Sequence, residues 1–133
     1  MDSTAQKPEL TAIPSSVNEV KFQDTSLDIW ENKYCLKNKK GGFVDQNMDD
    51  TYKRVAKALS EVEDEDKRGI WYSKFLWALR QGVIPAGRII SNAGAQEHKP
   101  ATSTINCTVS GIIYDSMEDI LQKNVEAGLT LKA

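Results

Sequence analysis

Two consecutive helical patterns in the middle of the chain constrain its fold most. The first begins at Asp49, whose charge complements a helix dipole. Its apolar residues follow the helical period: Tyr52, Val55, Ala56, Leu59 and Val62. The second runs from about 67 to 81, with Gly82 as predicted C-cap and Pro85 excluding further helix. The acidic run 61–66 predicts a solvated turn between them. We therefore expect an antiparallel helix pair that buries the tryptophans.

The segment before this pair is less regular. Residues 1–24 are polar, contain two prolines and show no sustained period, which is typical of a flexible arm. A short helix is expected over 26–34, with Ser26 as its N-cap and with Leu27, Trp30 and Tyr34 on one face. The pair Gly41-Gly42 predicts a turn, after which Phe43-Val44 is expected to pair briefly with neighbouring backbone.

The last third of the chain predicts a loop, a strand and a helix. The loop covers 84–100, and the β-branched residues of 102–109 favour a strand. Ser116, with Asp119 three residues later, predicts the start of a helix. Its expected inner face comprises Met117, Ile120, Leu121, Asn124, Val125, Gly128 and Leu131. Since a lone strand and helix lack a second strand, we expect the N-terminal piece of a longer enzyme.

Composition excludes several classes of function. A net charge of −2 argues against a nucleic-acid partner bound through a general basic field. No apolar run reaches the ~20 residues of a membrane span, and the N-terminus lacks a signal-peptide core. Cys35 and Cys107 are far apart, so a reducing, cytoplasmic setting is expected. The single histidine, His98, gives no metal-ligand spacing, so no metal site is predicted.

Two features suggest chemistry, each with a plain structural alternative. Cys107 lies among hydroxyl-bearing residues, which favours a reactive thiol over a buried apolar cysteine. Arg88 lies between Gly87 and Gly94, whose backbone would let an anion approach; otherwise it is a surface arginine in an ordinary turn. Together they suggest a site for a phosphorylated ligand and redox chemistry.

Six segments carry a family resemblance: WENKY at 30–34, DDTYKRVA at 49–56, WALR at 77–80, IPAGRIISNAG at 84–94, ATSTINCTVSG at 101–111 and AGLTLKA at 127–133. From about residue 26 onward, the chain resembles the N-terminal part of adenosylcobalamin-dependent (class II) ribonucleotide reductase. The resemblance implies a mainly α fold: a helical N-terminal domain at 25–84, followed at 85–133 by the first strand and helix of a ten-stranded α/β barrel.

The resemblance also implies a function. The family reduces ribonucleotides, here expected to be ribonucleoside diphosphates, with adenosylcobalamin, a thioredoxin-type reductant and the remainder of the reductase chain, in an enzyme that can form a homodimer. Cys107 matches a reducing cysteine, and Asn106 matches a substrate contact. The loop near the substrate phosphates is matched by Gly87, Arg88, Ser91, Asn92, Ala93 and Gly94. Cys35, among charged residues, matches no redox position, and the chain alone is expected to be inactive.

Two alternatives remain open. The large subunit of an oxygen-dependent (class I) reductase carries a cysteine on the corresponding strand, although segment 101–111 favours class II. A non-catalytic helical module that binds a nucleotide or a partner is the second alternative.

Overall fold

The structure, a computed structural model, describes residues 20–105 and 107–132. Five α-helices occur there: α1 (Asp24–Ile29), α2 (Met48–Ser60), α3 (Arg68–Arg80), α4 (Gly87–Asn92) and α5 (Met117–Lys132). Helix α1 continues directly into a π-helical turn, Trp30–Tyr34. Most of the expected arm lies outside the described residues. Ser26 is not the N-cap, because the helix begins two residues earlier and Gln23 occupies that position.

Helices α2 and α3 form the predicted antiparallel pair. Asn47 caps α2, since its side-chain oxygen accepts the Asp50 N–H at 3.0 Å. The core cluster between the helices comprises Val55, Ala56, Leu79 and Ala93. Gly82 ends the second helix with φ +91°, a left-handed conformation that suits glycine. Helix α2 ends at Ser60, so Val62, which follows the apolar period of the first pattern, lies instead in the predicted solvated turn 61–66, where it is exposed.

The tryptophans are not buried as expected. Trp30, Trp71 and Trp77 are all half-buried. Trp71 stacks on Phe75 with ring centroids 5.5 Å apart. The core cluster contains Val55 and Ala56 of α2 and Leu79 of α3 instead. Phe75 and Leu76 of α3 pack against this cluster, whereas no tryptophan belongs to it among the described residues.

The predicted turn and backbone pairing before α2 are confirmed. Lys37 and Phe43 form an antiparallel bridge, and Val44 N–H donates to the Leu36 carbonyl at 2.8 Å. Gly41 makes the reversal with φ +82°. This hairpin-like turn brings Asp45 back toward the start of α2, where the residue is buried.

The predictions for residues 84–110 are corrected in two places. The expected loop 84–100 contains helix α4, and no strand forms in the described residues 101–105 and 107–110. A strand must pair its N–H and C=O groups with a neighbour, and no neighbouring strand lies beside this segment in the described part of the chain. The mainly α class is confirmed, whereas the barrel remains a prediction.

Helix α5 begins as predicted but packs differently. Ser116 Oγ accepts the Asp119 N–H at 3.2 Å, and the Asp119 carboxylate accepts the Tyr114 N–H at 2.7 Å. Its expected inner face is exposed, with Met117 at 70% and Leu131 at 87%. Within the described residues, no helix is long and apolar enough to cross a membrane.

The contact between Asp49 and Arg80 makes the free energy of unfolding depend on pH. Arg80 donates from Nε and Nη2 at 2.7 and 2.9 Å, joining the end of α3 to the start of α2. These bonds, opposed by desolvation and assisted by Lys53, lower the pKa of Asp49 from 3.8 to about 2. Because the pKa of Asp49 is lower in the folded protein than in the unfolded chain, the contact stabilises the fold fully at pH values above the unfolded-state pKa. This stabilisation is lost as the pH falls through the folded-state pKa.

We therefore expect the free energy of unfolding to fall between about pH 4 and about pH 2. Urea titrations of the wild type and of Asp49→Asn, from about pH 5 downward, measure this dependence. The variant should lose less stability over that range, because its side chain has no proton to gain. An identical pH dependence in the two proteins would refute the role of this pair.

Candidate functional site around helix α4

Helix α4 carries most of the residues predicted to lie near a phosphate. It begins at Gly87 because Ala86, after Pro85, is extended and its carbonyl accepts the N–H groups of Ile89 and Ile90 at 2.8 and 3.2 Å. Ile89 packs against the core cluster of α2 and α3. A Cβ on Gly87 would lie 3.3 Å from the Tyr34 hydroxyl, so α4 enters close to the π-helical turn.

Arg88 and Asn92 hold the segment that precedes Cys107. They are four residues apart and therefore share one face of α4. Arg88 Nη1 donates to the Ile105 carbonyl at 3.1 Å, and Asn92 Nδ2 donates to the Ser103 carbonyl at 2.8 Å. Cys107 follows two residues later with an exposed side chain. Asn106, the expected substrate contact, lies outside the described residues.

The remaining predicted loop residues contact other parts of the protein. The Ser91 carbonyl accepts from Lys99 Nζ at 3.4 Å. The side chain of Ala93 is buried in the core cluster, and its carbonyl accepts from Arg54 Nη1 at 2.7 Å. Gly94 has φ +70° and lies against Arg54. The structure thus brings Arg88 and Asn92 to the Cys107 segment, whereas Ala93 and Gly94 face α2.

A buried ion pair beneath α4 was not predicted from the sequence. Arg54 and Asp45 side chains are only 10% and 4% exposed, and Arg54 Nη2 lies 2.7 Å from Asp45 Oδ2. Thr51 Oγ1 donates to the same carboxylate at 2.7 Å, and Trp30 Nε1 donates to Thr51 Oγ1 at 2.9 Å. Burial acts to raise the pKa of Asp45, but the bonds from Arg54 and Thr51 outweigh it and lower that pKa.

One feature of the sequence could have indicated this pair. Arg54 stands immediately beside Val55 and three residues after Thr51, so it borders the apolar face of the first predicted helix. A charged side chain at such a position needs a partner when it is buried. Its partner, Asp45, lies in a separate turn, and no local spacing connects the two residues.

Cys35 stands among charged residues in the sequence, but in the structure it is buried. Its side chain is 6% exposed, and Sγ donates to the Asp45 carbonyl at 3.2 Å. Burial, together with the charge of Asp45, raises the pKa of its thiol. The thiol therefore stays protonated and enclosed, which disfavours redox exchange.

A separate cleft of about 510 Å³ lies between the start of the described chain and the loop after α3. Its lining includes Phe22, Trp30, Tyr52 and Ile84, together with Ile90 from α4. None of the predicted site residues line this cleft. The candidate site is therefore the exposed face of α4 with the segment it holds.

Gly94→Ala tests how closely the end of α4 must approach α2. A Cβ at this position would lie 2.9 Å from Arg54 Cγ and 3.0 Å from the Arg54 carbonyl oxygen. With the cost of a positive φ, we expect unfolding free energy to fall by about 1–3 kcal/mol. Urea denaturation measures the change. Gly69→Ala is the control: its Cβ would meet nothing within 4 Å, so stability should stay level or rise by up to about 1 kcal/mol. Equal effects would contradict the close approach.

Comparison with known proteins assigns the family. The family model described as "Ribonucleotide reductase, all-alpha domain" matches residues 20–98 of the 133-residue chain. This match contains helices α1 to α4 and ends before Cys107. Neither the curated proteins nor the solved structures gave a match. Because the model covers more than half of the chain, the protein belongs to the ribonucleotide reductase family through its all-alpha domain.

Proposed function

We propose that this chain is the N-terminal part of an adenosylcobalamin-dependent ribonucleoside-diphosphate reductase, in which Cys107 is one of two reducing cysteines. The observation that carries the proposal is the order of its parts. The all-alpha family domain at 20–98 is followed at once by an exposed cysteine on a segment that α4 holds. The choice of class II rests on the resemblance of segment 101–111.

The proposed reaction balances with two thiols. Two S–H groups supply two electrons and two protons, the 2′-oxygen of the ribose leaves as water, and the sulfurs join as a disulfide. A thioredoxin-type reductant then reopens that disulfide by thiol exchange, for which the exposed Cys107 is accessible. The Cys35 thiol is buried and donates a hydrogen bond to the Asp45 carbonyl, so we propose that the second reducing thiol belongs to the barrel.

The proposal divides the work between this chain and the barrel. Adenosylcobalamin supplies the radical that starts the reaction when it is bound to the complete enzyme. As the resemblance implies, most of the cobalamin contacts are proposed to lie in the barrel. This chain contributes one of the two reducing thiols and part of the nucleotide site. A thioredoxin-type partner is consistent with a cytoplasmic setting.

Arg88 is the proposed phosphate ligand. Its side chain lies on the exposed face of α4 and uses Nη1 for the Ile105 carbonyl. A guanidinium carries five N–H donors in a planar fork, which suits a phosphate. Asn92 and Asn106 are proposed to flank the substrate between Arg88 and Cys107. Gly87, Ser91, Ala93 and Gly94 enter the proposal as the backbone that shapes this loop.

Reconstitution tests the proposal. The chain is co-expressed with its candidate C-terminal portion, and deoxynucleotide formation is followed with and without adenosylcobalamin. We expect product from ribonucleoside diphosphates only when adenosylcobalamin is present. Product that instead needs a radical-generating second subunit would assign the chain to class I. Tight nucleotide binding by the chain with no turnover in any combination would support the non-catalytic module.

A further inference from the structure

Helix α4 depends on a contact from outside itself. It has six residues, too few for a helix to be stable alone in water. The carbonyls at its C-terminal end have no partner within the helix. Arg54 supplies one, because Nη1 donates to Ala93 O at 2.7 Å and Nη2 donates to Ile90 O at 3.1 Å. A cation at this end also complements the helix dipole.

The position of Arg54 is itself fixed from two directions. Nε lies 3.1 and 3.2 Å from the two carboxylate oxygens of Asp45, and that carboxylate also accepts the Leu36 N–H at 3.2 Å. On the other side, Gly94 lies so close that a Cβ would be 2.9 Å from Arg54 Cγ. These contacts fix the position of the Arg54 guanidinium. Because the guanidinium also bonds the C-terminal carbonyls of α4, they fix the position of that end of the helix as well.

Two side chains of α4 contact the segment that precedes Cys107. Arg88 and Asn92 donate to the carbonyls of residues 105 and 103. A continuous series of hydrogen bonds therefore runs from Asp45 through Arg54 and α4 to a point two residues before Cys107.

We propose that Arg54 is a positioning residue for Cys107. The Asp45–Arg54 pair sets the place of α4, and α4 sets the backbone that carries the thiol. Arg54 does not touch the substrate; it acts through Arg88 and Asn92. The catalytic meaning of this role rests on the proposed reductase function, whereas the structural coupling is testable in the 133-residue chain alone.

The test compares two arginine-to-lysine variants. Arg54→Lys keeps a cation beside Asp45, which favours folding, but it loses the fork that reaches both α4 carbonyls. Arg80→Lys is the matched control: Arg80 makes a similar two-bond contact to Asp49 between α2 and α3, without touching α4. Hydrogen exchange on the chain measures the protection of the Ala93 N–H, which donates to the Ile89 carbonyl. NMR measures the chemical shift of the Asn92 side-chain amide, which donates to the Ser103 carbonyl.

With Arg54→Lys, we expect exchange at Ala93 to accelerate by about tenfold or more, the scale of one charge-assisted hydrogen bond. The Asn92 side-chain resonance should move, and both signals should be unchanged in Arg80→Lys. In the reconstituted enzyme, Arg54→Lys should lower kcat by about tenfold to a hundredfold, because small misplacements of reacting groups are costly. Arg80→Lys should not lower it.

The result that would overturn the inference is an unchanged Asn92 resonance in Arg54→Lys, or equal acceleration across α3 and α4 in both variants. Equal loss of kcat in the two variants would do the same, since that indicates general destabilisation. If the NMR coupling is found but the wild-type reconstitution makes no deoxynucleotide, the positioning by Arg54 stands and the proposed reductase function fails. The two proposals are thus tested separately.

Discussion

Cys107→Ser is expected to abolish multiple turnover in the reconstituted reductase. A serine hydroxyl cannot join a second sulfur in a disulfide, so the substrate would lack one of its two reducing thiols. Deoxynucleotide formation, measured with a thioredoxin-type reductant in excess, should fall below about one product per active site. Turnover near the wild-type rate would refute the assignment of Cys107.

Cys35→Ser provides the matched control for this experiment. Cys35 is enclosed against the Asp45 carbonyl, and burial raises the pKa of its thiol, so it has no role in the proposed exchange. Turnover should match the wild type. A large loss in Cys35→Ser without unfolding, checked by circular dichroism, would show that the buried thiol takes part.

Arg54→Leu is expected to give the largest loss of stability. The substitution leaves the Asp45 carboxylate buried without its cation, and it removes two bonds to the end of α4. Breaking a buried ion pair by removing one partner costs about 3–5 kcal/mol of unfolding free energy. Urea denaturation followed by tryptophan fluorescence measures the loss.

Arg80→Leu is the control that shows whether losing an exposed ion pair destabilises the protein as much as losing the buried one. Arg80 and Asp49 are both 38% exposed, so their contact should contribute about 0–1 kcal/mol. In the double variant Asp45→Asn with Arg54→Leu, part of the lost stability should return, because no charge remains buried. Equal losses for Arg54→Leu and Arg80→Leu would contradict the account of the buried pair.

The helix pair could be predicted from the sequence because the residues that determine each helix lie within that helix or directly beside it. The apolar period through Val55 and Leu59, the acidic entrance at Asp49 and the glycine at 82 all lie within the elements they define. The same reasoning missed α4 and predicted a loop over 84–100, since glycines such as Gly87 and Gly94 are typical of loops. That helix depends on Arg54, more than 30 residues earlier in the chain, and no local pattern shows such a contact.

Other differences arise where a partner is needed. The β-branched residues of 102–109 favour a strand, but propensity alone does not form one without a neighbour for its backbone. The apolar residues of α5, such as Leu121 and Val125, are likewise exposed despite their helical period. The shared face of Arg88 and Asn92 could be recognised only once α4 was known to be helical.

The most direct test of the central claim is to identify which sulfurs are oxidised after one turnover. The reduced, reconstituted enzyme is given ribonucleoside diphosphate without external reductant, quenched with a thiol-alkylating reagent and mapped by mass spectrometry. The proposed function predicts Cys107 in a disulfide with a barrel cysteine, in proportion to the deoxynucleotide formed, with Cys35 still a free thiol. Product formed in that amount with Cys107 fully alkylated would contradict it.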